Sequence, residues 1–136
     1  LRSARLAALG ESTVGIGVVI VTRDFSVDVP FDIQFEKRDI GGPSAGLAYA
    51  LAITDILVEE DLAEGKTIAA TGTIDAFGQV GPVGGVESKT VAVERAGAEL
   101  FLVPEREVGL VEENDVQVRG VSTLEEALRA LGFSSV

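Results

Sequence analysis

Residues 40–57 read IGGPSAGLAYALAITDIL: two glycines and a proline, then a run rich in Ala and Leu interrupted only by Tyr49, Thr54 and Asp55. The first part is turn-like, and Pro43 suits the first turn of a helix, where its missing N–H costs nothing. The run after it is apolar on most faces, so the pattern predicts a buried helix over residues 43–57. Downstream, residues 66–74 read as a strand, 78–85 as a Gly-rich loop with short extended parts, and 86–96 as a second helix ended by Gly97. Residues 99–103 form a short strand before Pro104, and 116–118 another. A terminal helix spans 123–131, with Thr123 as N-cap and Glu126 completing a capping box.

Upstream of the helix, residues 14–21 (VGIGVVIV) are β-branched, and residues 25–35 (FSVDVPFDIQF) alternate with period two. Two strands are expected there, joined at 22–24, with Pro30 placing the second near a sheet edge or bulge. Residues 1–12, apolar at Leu1, Leu6 and Leu9, read as a short helix. No repeat, low-complexity tract or linker interrupts the chain. One α/β (α+β) domain over residues 1–136 is expected, a mixed sheet with packed helices.

Composition narrows the chemistry. The chain has 136 residues, 46% of them hydrophobic, which is enough for one domain with a buried core. Its 22 acidic residues against 11 Lys and Arg give a net charge of -11, which argues against a nucleic-acid partner. The most apolar run, residues 45–54, is too short to cross a bilayer, so no direct membrane contact is expected. The sequence starts at Leu1-Arg2 without Met or a signal-like leader, which reads as a C-terminal fragment of a longer protein. Localisation is therefore not legible.

There is no His and no Cys. Thiolate nucleophiles, disulfides, imidazole bases and the usual zinc sites are all excluded, and neither a metal nor a cofactor is expected. Hydrolysis by a side-chain nucleophile would need a Lys or a carboxylate as its base. The lysines are Lys37, Lys66 and Lys89.

Two segments carry that chemistry. Ser44 stands where the Gly-rich turn meets the buried helix, so its hydroxyl can be exposed and nearby backbone N–H groups can hold an oxyanion. The plain alternative is a serine that caps a helix after a glycine turn. Gly46, inside the helix, points to a close approach by another backbone or a ligand. Lys89 falls in the first turns of the second helix among Val86, Val91 and Val93; the helix dipole and the apolar neighbours both favour its neutral amine. Its plain alternative is a solvated lysine paired with Glu87 or Glu94. Lys37 and Lys66 lie among charged or loop residues.

Taken together, these segments resemble the Lon protease proteolytic domain. Gly42-Pro43-Ser44-Ala45-Gly46 matches that family's GPSAG motif around the nucleophilic serine. Gly84-Gly85-Val86-Glu87-Ser88-Lys89 matches its GG-x-x-x-K motif, which ends in the basic lysine. Thr71, in a TG motif, falls where the family has a threonine bonded to that lysine. The resemblance covers residues 35–105 and implies a serine endopeptidase acting on polypeptides through a Ser44-Lys89 dyad, with Gly41, Gly42 and Pro43 as the oxyanion loop.

One departure is Gly41, where ATP-dependent members carry an acidic residue. Together with the stretch TGTIDAFGQVGPVGG it resembles the Lon-type domains joined to PDZ domains in membrane-anchored bacterial proteins. That implies no ATPase module of its own and a membrane-anchored full-length protein, with a cytoplasmic one as the alternative. The family also implies assembly into a homo-oligomeric ring. Two rival readings stand beside the peptidase. One is a non-catalytic or latent Lon-like module for oligomerisation or binding. The other is metal-dependent hydrolysis by Asp28, Asp32, Glu36 and Asp39, for which a solvated strand face is the ordinary explanation. The acidic Glu59-Glu60-Asp61 and Glu112-Glu113 read as exposed surface.

Overall fold

The computed structural model describes residues 2–4, 18–20, 42–59, 61–111 and 114–133. The chain divides into two units, Leu1–Glu36 and Lys37–Val136. In the first, strands β1 (Arg2–Ala4) and β2 (Val18–Ile20) pair antiparallel, with Arg2 opposite Ile20. Strand β2 lies inside the expected segment 14–21. Strand β1 replaces the start of the expected helix: leucines five and three residues apart do not build one helical face, whereas the β-branched β2 offers a ladder partner. The expected strand 25–35, its connection at 22–24 and Pro30 lie outside the described residues.

The second unit begins with a 3-10 turn (Pro43–Ala45) that runs straight into helix α1 (Gly46–Leu57). There follow β3 (Ile68–Ala70), β4 (Thr73–Ile74), β5 (Val80–Gly81), helix α2 (Val86–Arg95), β6 (Leu100–Pro104), a 3-10 turn (Glu105–Leu110), β7 (Gln117–Val121) and helix α3 (Leu124–Ala130). Strands β3, β6 and β7 form a parallel sheet with β6 in the centre. Parallel sheets need cover on both faces, and β6 is buried at all five positions.

Strand alternation decides which helix covers which face. Leu100 and Leu102 pack with Leu47 and Leu51 of α1 and Ala127 of α3. Phe101 and Val103 point the other way and pack with Val86 of α2, Ala98 and Val116. The unit is thus three-layered, α1 and α3 on one face and α2 on the other, in keeping with the expected α/β class. Each fully buried Leu or Phe in these clusters contributes roughly 1.5–3 kcal/mol of transfer free energy.

The expected strand 66–74 is broken, and the break builds the site. Thr71 N still donates to Leu102 O of β6, at 2.9 Å. Gly72 then leaves the sheet: its N–H goes to Ser44 O (2.9 Å) and its carbonyl accepts from Leu47 N (3.0 Å). Beyond that clasp, β4 pairs antiparallel with β5. A Cβ at Gly72 would lie 2.8 Å from a Val80 methyl, and one at Gly46 would lie 3.1 Å from Ile74 N. Glycine at both positions lets α1 sit directly against this strand end.

Other expectations shift by a residue or two. Gly97, at φ 70, ends α2 as expected. Strand β7 starts one residue later than the expected 116–118 and ends three residues later, because all five of its residues pair with β6. Thr123 Oγ1 does accept from Glu126 N (3.1 Å), but the Glu126 carboxylate reaches back to Ser122 N (2.7 Å) rather than to the cap residue. The 3-10 turn after Pro104 is not expected from the sequence pattern.

Candidate active site

Ser44 is the middle residue of the 3-10 turn and is half-buried. Gly42 before it has φ 92, a conformation that glycine adopts without strain. Neither the turn nor α1 has a side-chain cap, so the Ser44 hydroxyl does not serve the capping role that was its plain alternative. It is the Ser44 carbonyl that is tied down, by Gly72 N (2.9 Å) and by Thr71 Oγ1 (3.2 Å). Gly46 N returns to Pro43 O, Leu47 N is taken by Gly72 O, and Pro43 has no N–H. Gly41 lies outside the described residues.

Lys89 lies one turn into α2, where its N–H donates to Gly85 O (3.1 Å). Gly85 opens the helix at φ 69. The Lys89 side chain turns inward instead of pairing with Glu87 or Glu94, and its Nζ donates to Thr71 Oγ1 at 3.2 Å. Thr71 is only 4% exposed.

The Thr71 hydroxyl has one proton, and that proton goes to the Ser44 carbonyl. Toward Lys89 it can therefore only accept. A neutral amine bonded in this way keeps its lone pair for another partner. Ser44, Thr71 and Lys89 all line one cavity of about 420 Å³, whose walls include Ala45, Ala48, Ala92 and Ala96. The small walls leave room for a chain to approach the two polar groups.

The remaining charged candidates fall elsewhere. Lys66 is exposed and pairs with Glu64 at 3.2 Å, while Lys37 lies outside the described residues. Asp61 folds its own loop by accepting from Ala63, Glu64 and Gly65 N–H groups. Asp28, Asp32, Glu36, Asp39, Glu60, Glu112 and Glu113 lie outside the described residues. Among the described residues no group of acidic side chains could hold a metal ion, and no helix is long and apolar enough to cross a membrane.

One residue was missed. Glu107, 8% exposed, accepts from Val83 N through both carboxylate oxygens, at 3.0 and 3.2 Å. In the sequence it is one acid among Glu105, Glu107 and Glu112, and nothing in its spacing marks it as buried.

Comparison with known proteins places the same residues in context. Residues 27–131 match the family model of the Lon protease (S16) C-terminal proteolytic domain. The chain is 37% identical over 117 residues to Lon protease 1 of Herpetosiphon aurantiacus, covering 79% of this chain and 14% of that protein. It is 38% identical over 110 residues to a Lon protease of Methanosarcina barkeri, covering 76% of this chain and 14% of the relative. A Lon protease of Rhizobium meliloti is 37% identical over 93 residues, 60% of this chain and 11% of its own length. The chain thus spans about a seventh of the length of the first two.

Proposed function

This chain belongs to the family of the Lon protease C-terminal proteolytic domain, and from that premise we propose that it is a serine endopeptidase domain whose nucleophile is Ser44 and whose base is Lys89. The observation that carries the reading is the hydrogen-bonded path from Lys89 Nζ through Thr71 Oγ1 to the Ser44 carbonyl, beside a cavity that all three residues line. With no His or Cys in the sequence, a lysine is the base best suited to activate the serine.

The chemistry runs in two halves. Neutral Lys89 takes the Ser44 hydroxyl proton as Oγ attacks the scissile carbonyl carbon, and the carbonyl oxygen gains the negative charge. The amides of Gly42 and Ser44 stabilise that oxyanion, with residues 41–43 setting the shape of the loop. The Lys89 ammonium then gives its proton to the leaving nitrogen, the C–N bond breaks, and the acyl group remains on Ser44. Water, deprotonated by Lys89, releases the acid and restores both side chains. Thr71 acts as a positioning residue: it holds Lys89 by one N–H and leaves the lone pair for Ser44.

The substrate class we propose is polypeptide, and the parent protein we propose is a homo-oligomer of the PDZ-linked, membrane-anchored kind without an ATPase module, with a cytoplasmic protein as the alternative. Gly41, in place of an acidic residue, supports this subfamily. The presence of both Ser44 and Lys89 supports catalysis over a purely scaffolding role. The test is cleavage of a fluorescently labelled unfolded protein by the full-length parent. Ser44→Ala and Lys89→Met should each abolish it; retained cleavage in either variant sinks the dyad.

A further inference from the structure

We infer that Glu107 is a positioning residue for Lys89, acting through the backbone of the loop that leads into α2; the inference rests on the Ser44-Lys89 reading above. The loop between β5 and α2 contains Pro82, Gly84 and Gly85, and Gly85 stands at φ 69. Glycines place few limits on where such a loop directs the chain. Its direction must therefore be set by contacts from outside, and two converge on Val83. The Val83 side chain packs against the cluster of Val86, Phe101 and Val103. Its N–H is held by both oxygens of Glu107, a residue 24 positions away, on the 3-10 turn that follows the central strand.

A carboxylate is rarely left this buried without a specific partner. An amide bonded to a charged acceptor is held more strongly than one bonded to a neutral oxygen. Val83 lies three residues before Val86, the first residue of α2, which is 1% exposed, and Lys89 follows Val86 by the same interval. Glu107 thus fixes the root of the helix while Thr71 fixes the head of the lysine. Between these two holds, the amine is placed relative to Ser44. If the root is released, α2 can keep its fold and still present Lys89 in the wrong place, and misplacement by about 1 Å costs on the order of 100-fold in rate.

The experiment compares Glu107→Gln and Glu107→Met in the full-length parent. Gln keeps an oxygen that can accept from Val83 N; Met fills a similar volume and offers no such acceptor. Two rates are read: peptide cleavage, separated into kcat and KM, and covalent labelling of Ser44 by a small fluorophosphonate. The labelling rate reports activation of the serine with little dependence on substrate binding. Glu107→Met should lower kcat and the labelling rate together by roughly 10- to 100-fold with KM within about 3-fold, and Glu107→Gln should recover most of both. Should the Met variant fail to fold, Glu107→Asp withdraws the carboxylate by one methylene and carries the same expectation. A folded Met or Asp variant with unchanged kcat overturns the inference, as does a loss no greater than the loss of folded protein. Activity surviving in Ser44→Ala would overturn the dyad and this inference with it. A dead Ser44→Ala beside a fully active Glu107→Met would overturn the inference alone.

Discussion

Helix α1 follows directly on Ser44 and helix α2 carries Lys89, the two residues of the proposed dyad; they cover opposite faces of one sheet and are mounted in different ways. Helix α1 is mostly Ala, Leu and Ile; Leu47 and Leu51 are buried in the cluster with Leu102. Its first turn is clasped by backbone hydrogen bonds to Gly72. Helix α2 is far more polar, with Glu87, Ser88, Glu94 and Arg95 exposed and only Val86 and Thr90 buried. The end that bears Lys89 is held by side chains, Thr71 at the Lys89 amine and Glu107 at the loop before the helix. The proposed nucleophile is therefore placed by the packing of α1 and by backbone hydrogen bonds, and the proposed base by side-chain contacts. Damage to the first mount should appear as lost stability, and damage to the second as lost rate in a folded protein.

The largest effects come from removing the groups themselves. Ser44→Ala and Lys89→Met should lower kcat/KM by at least about 1,000-fold while melting temperature changes little. Lys89→Arg should be as inactive as Lys89→Met, because a guanidinium stays protonated and cannot serve as a base. Steady-state kinetics beside a thermal melt separates these outcomes from misfolding.

Next is the α1 mount. Leu47→Ala removes a fully buried side chain from the cluster with Leu102 and should cost about 2–5 kcal/mol, read by denaturant unfolding. Per folded molecule, this variant should still cleave. A stable but inactive Leu47→Ala would erase the distinction between the two mounts.

A smaller effect on rate should follow from Thr71→Val, which keeps the shape and removes the hydroxyl that accepts from Lys89 and donates to Ser44 O. The expected loss is roughly 10- to 100-fold in kcat, with KM little changed and Thr71→Ser retaining most activity. Equal loss in Ser and Val would argue against the hydroxyl. The smallest change is Thr123→Ala, which removes the α3 cap on Glu126 N and should cost about 1 kcal/mol without touching kcat.

The two mounts also differ in how legible they were in the sequence. The α1 segment declares itself through Pro43, the Gly-rich turn and a run rich in Ala and Leu, and the expected helix over 43–57 differs from the observed turn and helix only in its 3-10 start. Helix α2 was equally plain from Gly85 to Gly97. What local pattern missed was long-range. The strand expected over 66–74 breaks at Gly72 because Ser44 of the 3-10 turn takes its N–H and Leu47 of α1 its carbonyl, long-range contacts that no period encodes. Glu107 was invisible for the same reason, since its burial depends on Val83 arriving from another loop. Thr71 and Lys89 were placed in the sequence by family motif, whereas the direction of the Thr71 hydroxyl, donating to the Ser44 carbonyl and accepting from Lys89, is known only from the geometry around Ser44.

The dyad is tested most directly by where a serine-reactive phosphonate bonds to the full-length parent, read by peptide mass mapping and followed as a rate. One adduct is expected, on Ser44, formed at least about 100-fold more slowly in Lys89→Met. An adduct on another serine, or labelling of Ser44 at the parent rate without Lys89, would contradict the pairing of Ser44 with Lys89.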